Sequence, residues 1–281
     1  MSDQLVVSGA PSASPAGTPP PGRRTRLRRA AGGGKAMVVY RVLGMVAFLG
    51  AWELAVRAEL VNPLFLPAPS KVAGTLVDLV RTGDLWPHVS ETLQATFAGF
   101  VAGVVVGALL GFVIGLSPAL SGFTSPFITM MNSMPRIALA PLFVLWVGID
   151  IKSRILLVFS LVVFIVLTNT IAGTQSVDRD HLTLARLFSA SRRQVIVKIA
   201  MPSVLPWILA AMRLSFAYAL AGAVVGEMFL GQRGLGYLIV AGSGVFNISQ
   251  VFAALVVTVI VAFLFDNLMA VAEKRILRWR A

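Results

Sequence analysis

Six apolar stretches of membrane length follow one another along this chain, separated by shorter polar, proline-rich or basic stretches. The pattern places spans at 37–58, 91–116, 123–148, 153–173, 204–228 and 252–272. Each is close to the roughly 20 residues that carry a helix across the hydrocarbon core, with allowance for tilt. No stretch keeps strand alternation throughout its length, so a β-barrel is excluded. The fold class is therefore an all-α polytopic membrane protein with about six transmembrane helices.

The connections carry their own signals. Between the first two spans, 61–90 is too polar to cross. Its Leu66-Pro67-Ala68-Pro69-Ser70 piece is extended by its prolines. Ser70 then reads as the N-cap of a short amphipathic helix with Val72, Leu76, Leu79 and Val80 on one face. The turn Ser117-Pro118-Ala119-Leu120 makes a tight hairpin of the second and third spans. Gly99, Gly103, Gly107, Gly111 and Gly115 recur every fourth residue of the second span. They form one stripe that admits the backbone of another helix. Packing within the chain is the favoured reading, and a subunit contact is the alternative.

Composition sharpens this picture. Of the 281 residues 57% are hydrophobic and only 13% are charged, against about a quarter charged in a soluble domain. The formal charge of +12 would suit a nucleic-acid partner if the cations were spread evenly, but they are not. With the first span starting inside, sixteen of the 24 Lys and Arg fall in segments on the cytoplasmic side and six outside. The positive-inside rule explains that asymmetry, with both termini cytoplasmic, and no nucleic-acid role is called for. The absence of cysteine removes disulfides, thiolate metal sites and cysteine nucleophiles. Two distant histidines, His88 and His181, make a metal site an unsuitable reading. Residues 1–36, with basic residues clustered from Arg23 to Arg29, read as a disordered cytoplasmic tail and not as a cleaved signal. The remainder, 37–281, is one transmembrane domain.

The most informative connection is 176–202, a charged interval between the fourth and fifth spans. Arg179, Arg186, Arg192, Arg193 and Lys198 place it in the cytosol. Residues 181–197 predict one short helix presenting Leu184, Leu187 and Phe188 on one side, an apolar strip suited to a partner's groove. Met201-Pro202 and Pro206 are expected to end that helix and restart the chain as the fifth span. A solvated surface loop is the plain alternative.

This interval resembles the coupling loop of the permease subunits of binding-protein-dependent ABC importers. That pattern is EAA, three residues, G, nine residues and I-x-L-P. Here Thr183-Leu184-Ala185 stands at EAA, Ser189 at the glycine, and Ile199-Ala200-Met201-Pro202 at I-x-L-P, with the spacing intact. Three further stretches are similar to the nitrate/sulfonate/taurine group of that family. They are Met134-Pro135-Arg136-Ile137-Ala138-Leu139-Ala140-Pro141-Leu142-Phe143-Val144-Leu145-Trp146-Val147-Gly148, Gly222-Ala223-Val224-Val225-Gly226-Glu227-Met228, and Gly234-Leu235-Gly236-Tyr237-Leu238-Ile239. The Leu66-Pro67-Ala68-Pro69-Ser70 piece fits the same group.

The resemblance implies a type I ABC importer permease fold in the bacterial inner membrane. It also implies a second permease subunit, identical or homologous, two cytoplasmic ATPase subunits and an external substrate-binding protein. The cargo it implies is a small solute, with a small organic or inorganic anion such as a sulfonate, nitrate or carboxylate favoured. The chain has no phosphate-binding loop of the G-x-x-x-x-G-K-[ST] form. ATP and Mg are therefore expected on the partner ATPases, and no cofactor on this chain, which is not itself an enzyme.

Four charges within apolar runs complete the reading. Arg136 lies in the third span, where a charge costs at least about 2.5–3.5 kcal/mol. It either lines a translocation path with Asn132, Pro135 and Pro141, favouring an anion, or pairs with Glu227 or another buried acid. Glu227 is read as an anchor for the loop that follows the fifth span. Asp266 is a candidate partner for Arg213. A secondary transporter or channel working without an ATPase is the competing class, but it would place several ionisable groups at mid-membrane for ion coupling.

Overall fold

The computed structural model describes residues 33–277, and among them every regular element is helical. The expected tail lies almost wholly outside the described residues, although the first helix already begins at Gly33. By packing, the chain divides after Phe48 into two units, 1–48 and 49–281. The described part of the first unit is the start of helix α1 (Gly33–Arg57), which continues into the second.

Among the described residues five helices are long and apolar enough to cross a membrane, or six if a bent pair is one broken span. After α1 come the short α2 (Pro69–Thr82) and the long α3 (Leu85–Gly115). The expected third span is divided. Helix α4 (Pro118–Ser133) meets the segment Arg136–Val147, a 3-10 turn (Arg136–Leu139) continued by α5 (Ala140–Val147), at 79°. The cause is local: Met134 precedes Pro135 and is held extended at ψ 130°, which prevents α4 from running on. Helix α6 (Ile151–Gln175) is the fourth crossing, α9 (Met201–Leu230) the fifth and α11 (Ile248–Ile276) the sixth. Between α6 and α9 lie α7 (Arg179–Leu187) and α8 (Arg192–Val195), and α10 (Leu235–Gly244) follows α9.

Helix α6 is the centre of the bundle, and the glycine stripe of α3 is what brings α3 against it. A Cβ at Gly99 would meet Val158, at Gly103 Val162, at Gly107 the Val163 carbonyl, at Gly111 that of Leu167, and at Gly115 Thr174. The stripe thus packs within the chain, as favoured from the sequence. Dispersion and close backbone approach hold such a contact where lipid offers no hydrophobic gain. On the other flank Phe216 of α9 stacks on Phe265 of α11, with the Phe100 edge against both rings.

Two expectations about helix ends are corrected. Ser70 is not the N-cap of α2: Ala68 is, and Pro69 occupies the first turn. The capping group comes from α1 instead. Glu53 accepts from Ser70 N at 3.0 Å and from Ser70 Oγ at 2.7 Å, while Arg57 Nε donates to it at 2.8 Å. A carboxylate at a helix N-terminus satisfies orphan amides and complements the dipole. Nor do Pro202 and Pro206 interrupt the chain, which stays helical from 192 to 229. A π turn, Ile196–Ala200, precedes Pro202, and Met201 N reaches back to Ile196 O. The wider turn accommodates a residue that brings a ring and no N–H into the ladder.

Candidate functional site

Three constellations stand along the bundle: one at its middle, one at the α10 end and one at the α7 end. The middle one is built on Arg136. Its guanidinium donates from Nη2 to Asn132 Oδ1 at 2.7 Å and to Met131 O at 3.1 Å, and from Nη1 to Leu161 O at 3.3 Å. It also lies 4.5 Å from the centre of the Phe164 ring. Leu161 and Phe164 are close to the midpoint of α6, so Arg136 is at mid-membrane depth if α6 crosses. The guanidinium there is held by neutral acceptors and a ring face, and no described carboxylate pairs with it. The expected alternative of a partnership with Glu227 is thereby corrected, because the bend carries Arg136 to the middle of α6 while Glu227 lies near the far end of α9. A cavity of about 400 Å³ opens beside it, lined by Asn132, Pro135, Arg136, Leu161, Leu214 and Tyr218 among others. Pro141 does not line this cavity and is exposed on α5. Tyr218 had no role in the sequence reading.

At the α10 end a buried polar cluster ties three crossings to the loop after α9. Glu227, with a fully buried side chain, accepts through Oε2 from Thr92 Oγ and from Gly236 N, both at 2.9 Å. Thr92 Oγ in turn accepts from Leu235 N at 2.9 Å, and His88 Nδ1 accepts from Gly234 N at 3.0 Å while its ring stacks on Tyr237. Two glycines of the G-L-G motif are required by this packing: a Cβ at Gly234 would collide with the Glu227 carboxyl, and one at Gly236 with the Val224 carbonyl. Glu227 therefore anchors the loop, as read from the sequence. The arginine was missed. Arg154, counted beforehand as a cation outside the membrane, is buried and sits 2.7 Å from Glu91 and 3.9 Å from Glu227. Its signal was present in the sequence as two acids at the ends of apolar runs, Glu91 and Glu227, with Arg154 at the end of another. Nearer the other end, Arg213 and Asp266 do form the suspected pair, with Nη2 2.8 Å from Oδ2.

The α7 end carries the strip. Helix α7 stops at Leu187, well short of the expected 197, and the chain turns before Ser191 caps α8 through a reciprocal bond with Gln194. Leu184, Leu187 and Phe188 are 51%, 75% and 83% exposed, whereas Ala185 is buried and Thr183 faces outward beside them. Three large apolar side chains so placed, two on a nine-residue helix and one directly after it, form a surface that water does not favour. Ser189, which stands where the family pattern has glycine, adopts φ 53°. The left-handed turn lets Ala190 N reach Ala185 O at 2.9 Å, closing the helix. Ile199, Met201 and Pro202 lie beyond α8, on the π turn and the first turn of α9. The structure thus gathers Thr183 to Ser189 on one helix and its cap, and strings Ile199 to Pro202 along the next.

Left-handed backbone costs a residue with a Cβ about 1–2 kcal/mol, part of which glycine returns through its greater freedom when unfolded. Ser189→Gly is therefore expected to stabilise the end of α7 and to slow amide exchange at Phe188 and Ala190 by about threefold. Unchanged or faster exchange there would contradict the turn.

Comparison with known proteins agrees with these features. Residues 103–278 match the family of binding-protein-dependent transport system inner membrane components. The chain is 35% identical to the riboflavin transport system permease RibX of Chloroflexus aurantiacus, over 84% of this chain and 88% of that one. It is 29% identical to the putative aliphatic sulfonates transport permease SsuC of Bacillus subtilis, covering 83% and 84% of the two chains. Against the taurine transport permease TauC of Escherichia coli K12 it is again 29% identical, covering 84% and 87%. Among solved structures, an amino acid ABC transporter crystallised with histidines gives a TM-score of 0.60 at 17% identity, covering 71% of this chain and 98% of that one. The MetNI methionine transporter in an inward-facing form gives 0.54 at 21%, covering 70% and 94%. Both share the fold.

Proposed function

The chain belongs to the binding-protein-dependent transport system inner membrane components, and from that premise we propose that it is driven by ATPase subunits gripping α7. As a permease subunit of an ABC importer it carries the path, and the motor is a pair of cytoplasmic ATPases that bind ATP and Mg. The observation that supports this most directly is the exposed strip of Leu184, Leu187 and Phe188 at the family's coupling position. The α7 end then faces the cytosol, as do both termini, and α10 faces the external binding protein. A second copy of this chain, or a homologue, completes the path. Closure of the ATPases rocks the two permeases and exposes the cavity to one side at a time.

The proposed cargo is a small anion such as a sulfonate, nitrate or carboxylate. Support comes from Arg136, a mid-span guanidinium whose charge no described acid neutralises, bordering a cavity of about 400 Å³. The relatives' names span sulfonates, taurine and riboflavin, so selection among solutes falls to the binding protein.

The test is co-expression with the cognate ATPase. The wild-type permease is expected to co-purify with it and to stimulate uptake on addition of ATP and loaded binding protein. Leu184→Asp combined with Phe188→Asp adds charge to both sides of the strip and is expected to lower recovery of the ATPase at least tenfold, with the permease still folded. Equal recovery from the double variant would remove α7 as the grip. Solute uptake by the permease alone in vesicles would favour a secondary transporter.

A further inference from the structure

We infer that Arg136 is a clasp that holds the 79° bend of the third crossing, and that an anion entering the cavity releases it. The inference rests on reading that cavity as the cargo path and adds a regulatory consequence to it. The geometry begins with the broken helix. Helix α4 ends at Ser133, so the carbonyls of its last turn have no successor amide to accept from. Arg136 folds back on that turn: Nη2 serves Met131 O and the Asn132 side chain, which cap the C-terminal end where a cation is favoured. The same guanidinium reaches across to Leu161 O and the Phe164 ring of α6. One side chain thus joins the end of α4, the start of the 3-10 turn and the midpoint of the central helix.

Every acceptor in that clasp is neutral, and three N–H···O bonds leave two of the five guanidinium N–H groups uncommitted. A carboxylate or sulfonate offers charge-assisted bonds roughly twice as strong as neutral ones. A bidentate anion in the adjoining cavity draws the guanidinium toward itself through the free N–H groups, and so competes with Asn132 and the two carbonyls for the position of the whole group. When it wins, the C-terminal turn of α4 loses its cap and the 3-10 turn loses its tie to α6. The angle between α4 and α5 then relaxes, which links occupancy of the cavity to the shape of the crossing that borders it.

The measurement uses the full-length permease in nanodiscs. The chain has no native cysteine, so spin labels go only where they are introduced, through Phe127→Cys on α4 and Trp146→Cys on α5, both exposed positions. Pulsed dipolar distances are recorded with and without millimolar methanesulfonate as the anion and methanesulfonamide as its neutral counterpart. In the unsubstituted clasp, methanesulfonate is expected to shift the distribution toward a second distance and methanesulfonamide to leave it alone. Asn132→Ala, which keeps the guanidinium, and Arg136→Gln are each expected to raise the relaxed-to-bent ratio by about tenfold without any anion. Arg136→Gln is further expected to abolish the response to methanesulfonate. A distribution that neither substitution moves overturns the clasp. An equal response to anion and amide, or none to either, overturns the release. Because no ATPase is present, these outcomes are independent of whether α7 binds one.

Discussion

Replacing Arg154 with Met lowers the stability of the permease by about 3–5 kcal/mol, the cost of breaking a buried ion pair by removing one partner. Arg154 is 7% exposed and faces two carboxylates, Glu91 and Glu227, the second with a fully buried side chain. Methionine matches the stem of the arginine but leaves both acids without a cation, and at the fully buried Glu227 water cannot replace it. Glu227 would keep its bonds to Thr92 and Gly236, yet these were arranged around a compensated charge. Adding Glu227→Gln to Arg154→Met is expected to recover part of the loss, because the amide carbonyl still accepts from Gly236 N and the uncompensated charge disappears. Unfolding in mixed micelles titrated with dodecyl sulfate measures both. A loss below about 1 kcal/mol for Arg154→Met, the scale of an exposed pair, would show that the cluster is wet and that α10 is held by packing alone.

Gly107→Leu is expected to be comparably damaging for a steric reason. A Cβ at Gly107 would lie 2.5 Å from the Val163 carbonyl oxygen and 3.0 Å from Val166 Cβ. A backbone carbonyl inside a helix cannot step aside as a side-chain tip can, so α3 must withdraw from α6. That withdrawal also opens the contacts at Gly103 and Gly111, which lie one turn away on the same stripe. Overpacking of this kind costs about 1–3 kcal/mol and occasionally more, and the continuous stripe puts Gly107 at the upper end. Gly74 of α2 supplies the contrast, since nothing lies within 4 Å of a Cβ there. Gly74→Ala is expected to be neutral or to stabilise by up to about 1 kcal/mol through helix propensity. Folded yield in detergent and the same unfolding titration compare the two. Wild-type behaviour of Gly107→Leu would mean that the α3–α6 seam tolerates several ångströms of slack.

What the sequence by itself determined is the set of features that depend on period and composition. Apolar runs of membrane length located the crossings, because the bilayer fixes how many residues a helix needs. The four-residue glycine spacing found the seam of α3. The spacing around Thr183 to Pro202 carried the resemblance to a coupling loop, and Leu184, Leu187 and Phe188 proved to share an exposed surface. An acid as isolated as Glu227 announced an anchor, since a carboxylate in an apolar run must be answered by donors.

Tertiary structure alone decided how prolines act and which charge answers which. Pro135 breaks its crossing, whereas Pro202 and Pro206 leave theirs helical, because a π turn and helix packing can absorb a missing N–H in one place and an extended residue cannot in another. Arg154 stands only four residues into α6, where a count along the chain places it outside; the fold covers it with α3 and α9. Ser70 is capped by Glu53 from seventeen residues away, and Arg136 turns back on the helix that precedes it instead of meeting an acid. Charges and orphan amides are satisfied by whatever the packing brings within 3 Å, and the order of residues along the chain does not contain that distance.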